Sequence, residues 1–285
     1  MNVEFPTGKP HISYSEIKTW AECPKKHRLT YVDKIQTFVD NPYSDFGTII
    51  HEEIEFFLEN KTIDIERVYK KLDKVWEEKQ YDSQEYIDKI KAERALNGWK
   101  YTHETLSEWK NSANNILLEF PNFMDKEFPN WEPICAEFKL YEDISGSEIK
   151  FKGFIDCVIG VTNKNKKTFW ILDWKTTGKG GWFYTKRKEF ISLAQIGLYK
   201  TFWAKRLGVN LRDIKAGYVF LKRGAKPNKT CELLKVSVGP KFIEKTDKLI
   251  KRMIVAVKKG ISLKNPDGCK FCPYRNTEHC DGNGW

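Results

Sequence analysis

The apolar residues of this chain change period twice, from helical spacing to alternation and back. In DFGTIIHEEIEFFLEN (residues 45–60) Ile50, Ile54, Phe57 and Leu58 recur at three and four, with His51 on the edge of the stripe. From residue 61 to about 128 the chain reads as polar and helical. Val68, Leu72, Val75 and Trp76 make one stripe there, and Leu106, Trp109, Ala113, Ile116, Leu117 and Phe120 a second. Pro121 and Pro129 are expected to close this region, because proline removes a helix hydrogen bond. At Trp131 the period becomes two. PICAEFKLYED sets Ile134, Ala136, Phe138 and Leu140 on one predicted face and Cys135, Glu137, Lys139 and Tyr141 on the other. EIKFKGFIDCVIG and KTFWILDWKTT follow as strands. EFISLAQIGLYKTFWAKRLG is then a helix ended by Gly208, before two more strands, IKAGYVFLKRG and CELLKVSV, and a basic helix, KFIEKTDKLIKRMIVAVKKG. Near the start, ISYSEIKTWAE predicts a helix capped by Ser13 or Ser15 and broken at Cys23-Pro24.

This order predicts an α/β fold, a mixed central sheet flanked by helices. It divides into an N-terminal helical segment (1–60), a helical insertion or cap (61–130), a core (131–260) and a cysteine-rich tail (261–285), all as one integrated domain. Chemistry concentrates in residues 153–177, GFIDCVIGVTNKNKKTFWILDWKTT, where two apolar strands each carry one aspartate, Asp156 and Asp173. A carboxylate in an apolar strand is costly unless it is paired or holds a cation. Alternation puts Asp173 and Lys175 on one face and Trp174 on the other, and hairpin pairing brings Asp156 alongside Asp173. The pattern suits one or two hard cations with a lysine beside them, and equally a plain Asp–Lys pair at a strand end. Glu137 is either a third acid of that site or a solvent-facing strand residue.

Charge and cysteine content narrow the class. The chain has 285 residues with 49 Lys and Arg against 39 Asp and Glu, a formal charge of +10 that favours a polyanionic partner. Lys25, Lys26, Arg28 and the basic helix at 241–259 are candidates for phosphate contact. No apolar run reaches the roughly 20 residues that span a bilayer. MNVEFPTGKP carries no signal-peptide apolar region, so a cytoplasmic location, away from membranes, is expected. Seven cysteines without a secretion signal do not suggest disulfides. Cys269, Cys272 and Cys280 crowd the tail in a spacing that points to metal or cluster ligation, with Cys23 as the natural fourth thiolate. Cys135, Cys157 and Cys231 lie in strands and read as core.

Taken in order, G-F-I-D at 153–156, D-W-K-T at 173–176 and Gln195 with Tyr199 four residues on resemble the PD-(D/E)XK nuclease superfamily, specifically its RecB-like exonuclease branch. The upstream GTIIH, Gly47 to His51, matches that branch too. The resemblance implies a restriction-endonuclease-like core and metal-dependent hydrolysis of DNA, most simply as an exonuclease acting on single-stranded DNA or single-stranded ends. Alternatives are an endonuclease of the same fold and a non-catalytic nucleic-acid-binding factor. It further implies that His51, Asp156 and Asp173 bind Mg²⁺ or Mn²⁺, with the Trp174 carbonyl and Glu137 as lesser ligands. Lys175 would assist the attacking water, and Gln195 and Tyr199 would face the site. The opening SYSEIKTWAECPKKHRLTYVDKI and the closing CKFCPYRNTEHC resemble the AddB-type and CRISPR-associated members that carry a [4Fe–4S] cluster. That implies an iron–sulfur clasp on Cys23, Cys269, Cys272 and Cys280, joining the two ends of the chain. Structural Zn²⁺ is the alternative. The branch implies a role in recombination, repair or phage DNA processing in a bacterial or phage-infected cell, with a helicase or recombinase as a possible partner.

Overall fold

The computed structural model describes residues 5–36, 42–96, 101–164, 166–269 and 272–282. Six strands form one mixed sheet: β1 (His11–Ser13), β2 (Trp131–Asp143), β3 (Lys150–Asn163), β4 (Lys166–Gly178), β5 (Ile214–Arg223) and β6 (Cys231–Val236). The hairpins β2–β3, β3–β4 and β5–β6 pair antiparallel, while β4 and β5 run parallel across an intervening helical crossover. One edge of β3 is shared. Parallel β1 takes it at Lys150–Lys152 and antiparallel β4 at Cys157–Asn163, while β2 covers the opposite edge. Residues 153–156 therefore lie at a fork, between two strands that have parted.

Helices cover both faces. Ile17 of α1 (Tyr14–Glu22) packs on one face with Ile196, Phe202 and Trp203 of α8 (Phe190–Leu207) and Ile250 and Met253 of α9 (Pro240–Lys258). Between α1 and these come the short α2 (Pro24–His27) and a π-helical turn at Arg28–Val32. The other face is covered by α3 (Pro42–Asn60), α4 (Ile65–Lys79) and α6 (Leu106–Glu127), whose apolar stripes share a second core with Cys157, Leu172 and Trp174. The predicted stripes of α3, α4 and α6 pack there, with Val75 and Leu106 only partly buried. α5 (Gln84–Leu96) follows α4, and α7 (Tyr184–Lys188) precedes α8. Among the described residues no helix is long and apolar enough to cross a membrane.

Two expectations are corrected. Pro121 does not close the helical region, because α6 runs through it to Glu127. A Thr105–Glu108 capping box starts that helix and seven of its side chains are buried, a packing that outweighs one missing N–H. β2 does not keep one apolar face. Its register shifts between Pro133 and Cys135, leaving Ile134 exposed, and Glu137 has a left-handed φ of 46°. Ala136 consequently packs on the α3 side while Phe138 and Leu140 pack on the α8 side. β3 breaks its pleat at the same level: Ile155 and Val158, three residues apart, share the α8-side core, whereas Cys157 joins the other. The break falls at Asp156.

Candidate active site

Four elements meet at the fork. The last rung of the β3–β4 ladder is Cys157 against Leu172, so Asp156 and Asp173 stand where the ladder ends. Asp156 Oδ2 accepts the Trp174 backbone N–H at 2.7 Å, closing the strand end with a side chain instead of a further ladder bond. Asp173 is 1% exposed and pairs with Lys175 on the same face of β4, as alternation predicts, while Trp174 packs on Phe120 across the sheet at 5.4 Å. His51 comes from α3, with Nδ1 3.9 Å from Asp156 Oδ2.

Glycines make these approaches possible. A Cβ at Gly47 would stand 2.8 Å from Thr176 Oγ1, so its absence lets α3 lie on β4 one turn before His51. A Cβ at Gly153 would meet Tyr199 Cε1 at 2.8 Å, so the Tyr199 ring closes against the fork from the α8 side. Gln195 Nε2 donates to Tyr199 Oη at 3.0 Å. The pair thus supports β3 next to Asp156, while Lys175 is flanked by Asp173 and by the Tyr218 ring, 5.5 Å from its ammonium. Tyr218 was not foreseen. It sits opposite Asp173 in the β4–β5 register and is fixed by bonds to Ser192 O (2.9 Å) and from Ile196 N (3.3 Å). A polar aromatic within the apolar middle of β5, AGYVFL, was the only sequence signal for it.

Burial dominates the electrostatics. Asp156 is pushed well above the usual carboxylate range by desolvation and then by the Asp173 charge, with Lys175 and the Trp174 amide opposing. Asp173 is also raised by burial, against the pull of Lys175. Burial and Lys175 lower His51 to about 4, so its imidazole is neutral at physiological pH. Glu137 is raised by partial burial and by Glu55 and Asp173, which places it within electrostatic reach of the site. A groove of about 420 Å³ opens onto the site, lined by Tyr43, Ser44, Thr48, His51, Lys175 and Thr176.

A family model of the PD-(D/E)XK nuclease superfamily matches residues 11–277. The chain belongs to that superfamily. The match runs through the helical segment 61–130 as well as the strands. Nucleases of the superfamily generally use Mg²⁺ or Mn²⁺, and the mixed sheet between two helical layers agrees with a restriction-endonuclease-like core. Among solved structures, a candidate exonuclease from Eubacterium rectale is similar at 11% identity and TM-score 0.47, over 88% of this chain and 82% of that one. The structure of SSO0001 is similar at 13% identity and TM-score 0.33, over 91% and 93%. No curated protein matches.

In this superfamily member the tail folds back onto the N-terminal segment. Asn265 donates from Nδ2 to Glu22 O (2.8 Å) and from its backbone N to Cys23 Sγ (3.4 Å), and Lys25 N donates to Leu263 O (3.1 Å). Tyr274, buried with Cys272 against Leu29, donates to Ile35 O at 2.8 Å. All four clasp thiols are unpaired by disulfides. Asn265 bonds both Cys23 Sγ and, through its carbonyl, Cys269 Sγ (3.7 Å), and Cys280 packs on the cluster that buries Cys272; burial is the first cause raising Cys269 and Cys272, with Cys23 and Cys280 adding to it. Among the described residues, no group of three or more His, Cys, Asp or Glu side chains would hold a metal ion as placed. The donor chemistry nevertheless suits one at each place. His51 Nε2 is buried with no hydrogen-bond partner while Nδ1 lies 3.9 Å from Asp156 Oδ2, and the clasp offers sulfur alone.

Proposed function

We propose that this chain hydrolyses DNA phosphodiester bonds as a RecB-like exonuclease, taking single-stranded DNA or single-stranded ends. The observation that carries the reading is the meeting of Asp156, Asp173 and Lys175, from the β3–β4 hairpin, with His51 from α3, about a hundred residues upstream, at one fork. A Mg²⁺ or Mn²⁺ ion on His51, Asp156 and Asp173, with the Trp174 carbonyl and Glu137 as further oxygens, would supply Lewis-acid charge against the phosphodiester. The protein does the rest. Lys175, held by Asp173, orients the attacking water and meets the negative charge carried by the phosphoryl oxygens as the bond to the leaving oxygen breaks. Neutral His51 offers a lone pair instead of a proton. The Trp174 N–H fixes the Asp156 carboxylate, and the Gln195–Tyr199 pair holds the β3 backbone that bears it.

The clasp completes the reading. Cys23, Cys269, Cys272 and Cys280 take a [4Fe–4S] cluster, which ties α1 to the tail. Support comes from the all-sulfur donor set and the mutual influence of the thiols.

The test incubates end-labelled linear DNA and closed circular single-stranded DNA with the protein in Mn²⁺ or EDTA. Release of mononucleotides or short fragments from linear DNA alone is expected, lost in EDTA and in Asp173→Asn. Cutting of circles makes the protein an endonuclease, and an inactive wild-type protein removes the catalytic reading. Visible absorbance with iron and sulfide content identifies the cluster, whereas a colourless zinc protein would overturn it.

A further inference from the structure

Residues 179–189, just after β4, form a lip that the chemistry above leaves unused. It is anchored twice. The Trp182 ring lies 5.0 Å from Tyr218 and 5.2 Å from Phe220, the residues opposite Asp173 and Lys175 in the β4–β5 register. Arg187 donates from Nε to Trp182 O at 2.8 Å, pairs with Glu232, and lays its guanidinium over Phe220 at 5.0 Å. Between the anchors, Phe183 and Tyr184 are 84% and 70% exposed. Adjacent exposed aromatics on a turn fixed at both ends are not loose chain, and exposed apolar surface of this kind marks a contact site.

The charges around them say what kind. Lys188 Nζ stands 4.0 Å over the Tyr184 ring and Lys186 Nζ 4.7 Å over Trp182. Burial and the positive charges of Lys18 and Lys175 act on Lys186 against the negative charges of Glu189 and Glu22, and the Trp182 ring it covers packs on Tyr218, which also faces Lys175. The acids of the neighbourhood have other partners: Glu22 pairs with Lys18 and Lys26, Glu189 accepts from Ser192, and Glu232 is held by Arg187 and Lys222. Lys179, Lys186 and Lys188 therefore have no carboxylate ion-pair partner among the described residues. Exposed rings beside uncompensated cations suit a polyanion with flat faces, and a protein partner would more simply call for rings without the lysines.

We propose that Phe183 and Tyr184 are a stacking platform for the bases of a single strand whose backbone enters the active site, with Lys186 and Lys188 on the flanking phosphates. This rests on the DNA-hydrolase reading and gives its single-strand preference named residues and a mode of contact. A duplex hides its base faces, so only unpaired or frayed nucleotides can use the platform. Because every base has a π face, the contact is indifferent to sequence.

The test uses the full chain in EDTA, so that strands stay intact, and follows a single-stranded oligodeoxyadenylate carrying 2-aminopurine. Wild-type protein should bind it and quench the probe. Phe183→Ala/Tyr184→Ala should bind about tenfold to a hundredfold more weakly, with the quench lost, while Phe183→Trp/Tyr184→Trp retains both. An abasic strand of the same length, which keeps the phosphates, should bind both proteins alike. Unchanged affinity and quenching in the double-alanine variant, as a protein-docking lip would give, overturns the proposal. So does equal weakening on the abasic strand, or a wild-type protein that binds no single strand. The hydrolase reading fails separately: a wild-type protein that binds through the lip and never cleaves in Mn²⁺ removes hydrolysis and keeps the platform. One that cleaves with an idle lip does the reverse.

Discussion

Gly153 tests whether the motif glycines exist for packing or for flexibility. Its φ lies outside the left-handed region, so alanine meets no backbone penalty there. The obstacle is steric. A new Cβ would stand 2.8 Å from Tyr199 Cε1 and 3.1 Å from Phe151 Cε1. Reaching an ordinary contact of 3.4 Å requires the Tyr199 ring to retreat by about 0.6 Å. Neither ring can give freely. Phe151 is fully buried and stacked on Phe202 at 4.7 Å and 9°, and Tyr199 is 5% exposed and tied to Gln195. Overpacking of a tight core costs about 1–3 kcal/mol, and a strained Tyr199–Gln195 bond adds to it, so Gly153→Ala should lose about 2 kcal/mol. For a chain of this length that is about 3–4 °C in Tm.

Urea unfolding followed by tryptophan fluorescence reads the cost directly. Tyr199→Leu, which removes the obstructing ring edge, should cost stability alone yet absorb much of the alanine penalty in the double variant, a coupling of about 1 kcal/mol. Cleavage of DNA should fall with Gly153→Ala, because the shifted strand carries Asp156. A Gly153→Ala protein as stable as wild type would refute the packing account, and additive single and double variants would show that Tyr199 is not the obstacle.

Three further outcomes follow from buried charge and thiols. Glu53 is 1% exposed and held by Arg67 at 2.6 Å and by the Asp64 N–H at 2.6 Å, so Arg67→Ala should cost about 3 kcal/mol in denaturant; a loss below about 1 kcal/mol would mean the carboxylate finds water. Asp156→Asn keeps an acceptor for the Trp174 N–H and removes a charge that burial and Asp173 disfavour. In EDTA at neutral pH it should be stabilised by about 1 kcal/mol while cleavage is abolished, and lower stability would contradict the electrostatic assignment. Because the folded carboxyl is raised, the folded state holds a proton that the unfolded state has released, and wild-type stability should fall as pH rises from the unfolded value of about 4 into that window. Finally, burial lifts Cys231 to about 12 and Cys157 well above the ordinary thiol range, so alkylation mapped by mass spectrometry should spare both in the native protein. Cys269 and Cys280 should be modified only after iron is removed; ready labelling of the freshly purified protein would argue against an occupied clasp.

Periodicity made most of the elements legible, and the chemistry-bearing pattern was legible where it obeyed periodicity. Asp173, Trp174 and Lys175 alternate along a regular strand, and the structure places them as alternation requires. Hairpin pairing brought Asp156 beside Asp173, but the side taken by Glu137 was beyond that reasoning, because a break in the pleat there reverses the face of everything near it. Pro121 misled for a related reason. A local rule for ending helices gave way to a long buried stripe on either side of it. Tyr218 was invisible because its role depends on a parallel register set by a crossover, which no local spacing encodes. The α7 lip was missed because its signal is exposure, a property of packing instead of pattern.

The fork explains why these residues belong together. In the interior of a sheet both edges of a strand are taken by neighbours, and each side chain is covered by a single helical layer. Where β1 and β4 part from β3 that constraint lapses, so α3 from one layer and α8 from the other reach the same carboxylates. Each approach needs a missing Cβ: Gly47 admits α3 to Thr176, and Gly153 admits Tyr199 to β3. The backbone N–H of Trp174 is satisfied by Asp156 itself, so the opening costs no orphaned donor. What results is a pair of acids, one paired to Lys175 and the other to the Trp174 amide, and an imidazole whose far nitrogen has no partner. The remaining unfavourable charge is the kind that a bound cation neutralises. The separation of strands that costs the sheet several ladder bonds is therefore the same feature that gathers the acids, admits the helices and leaves room for a phosphodiester.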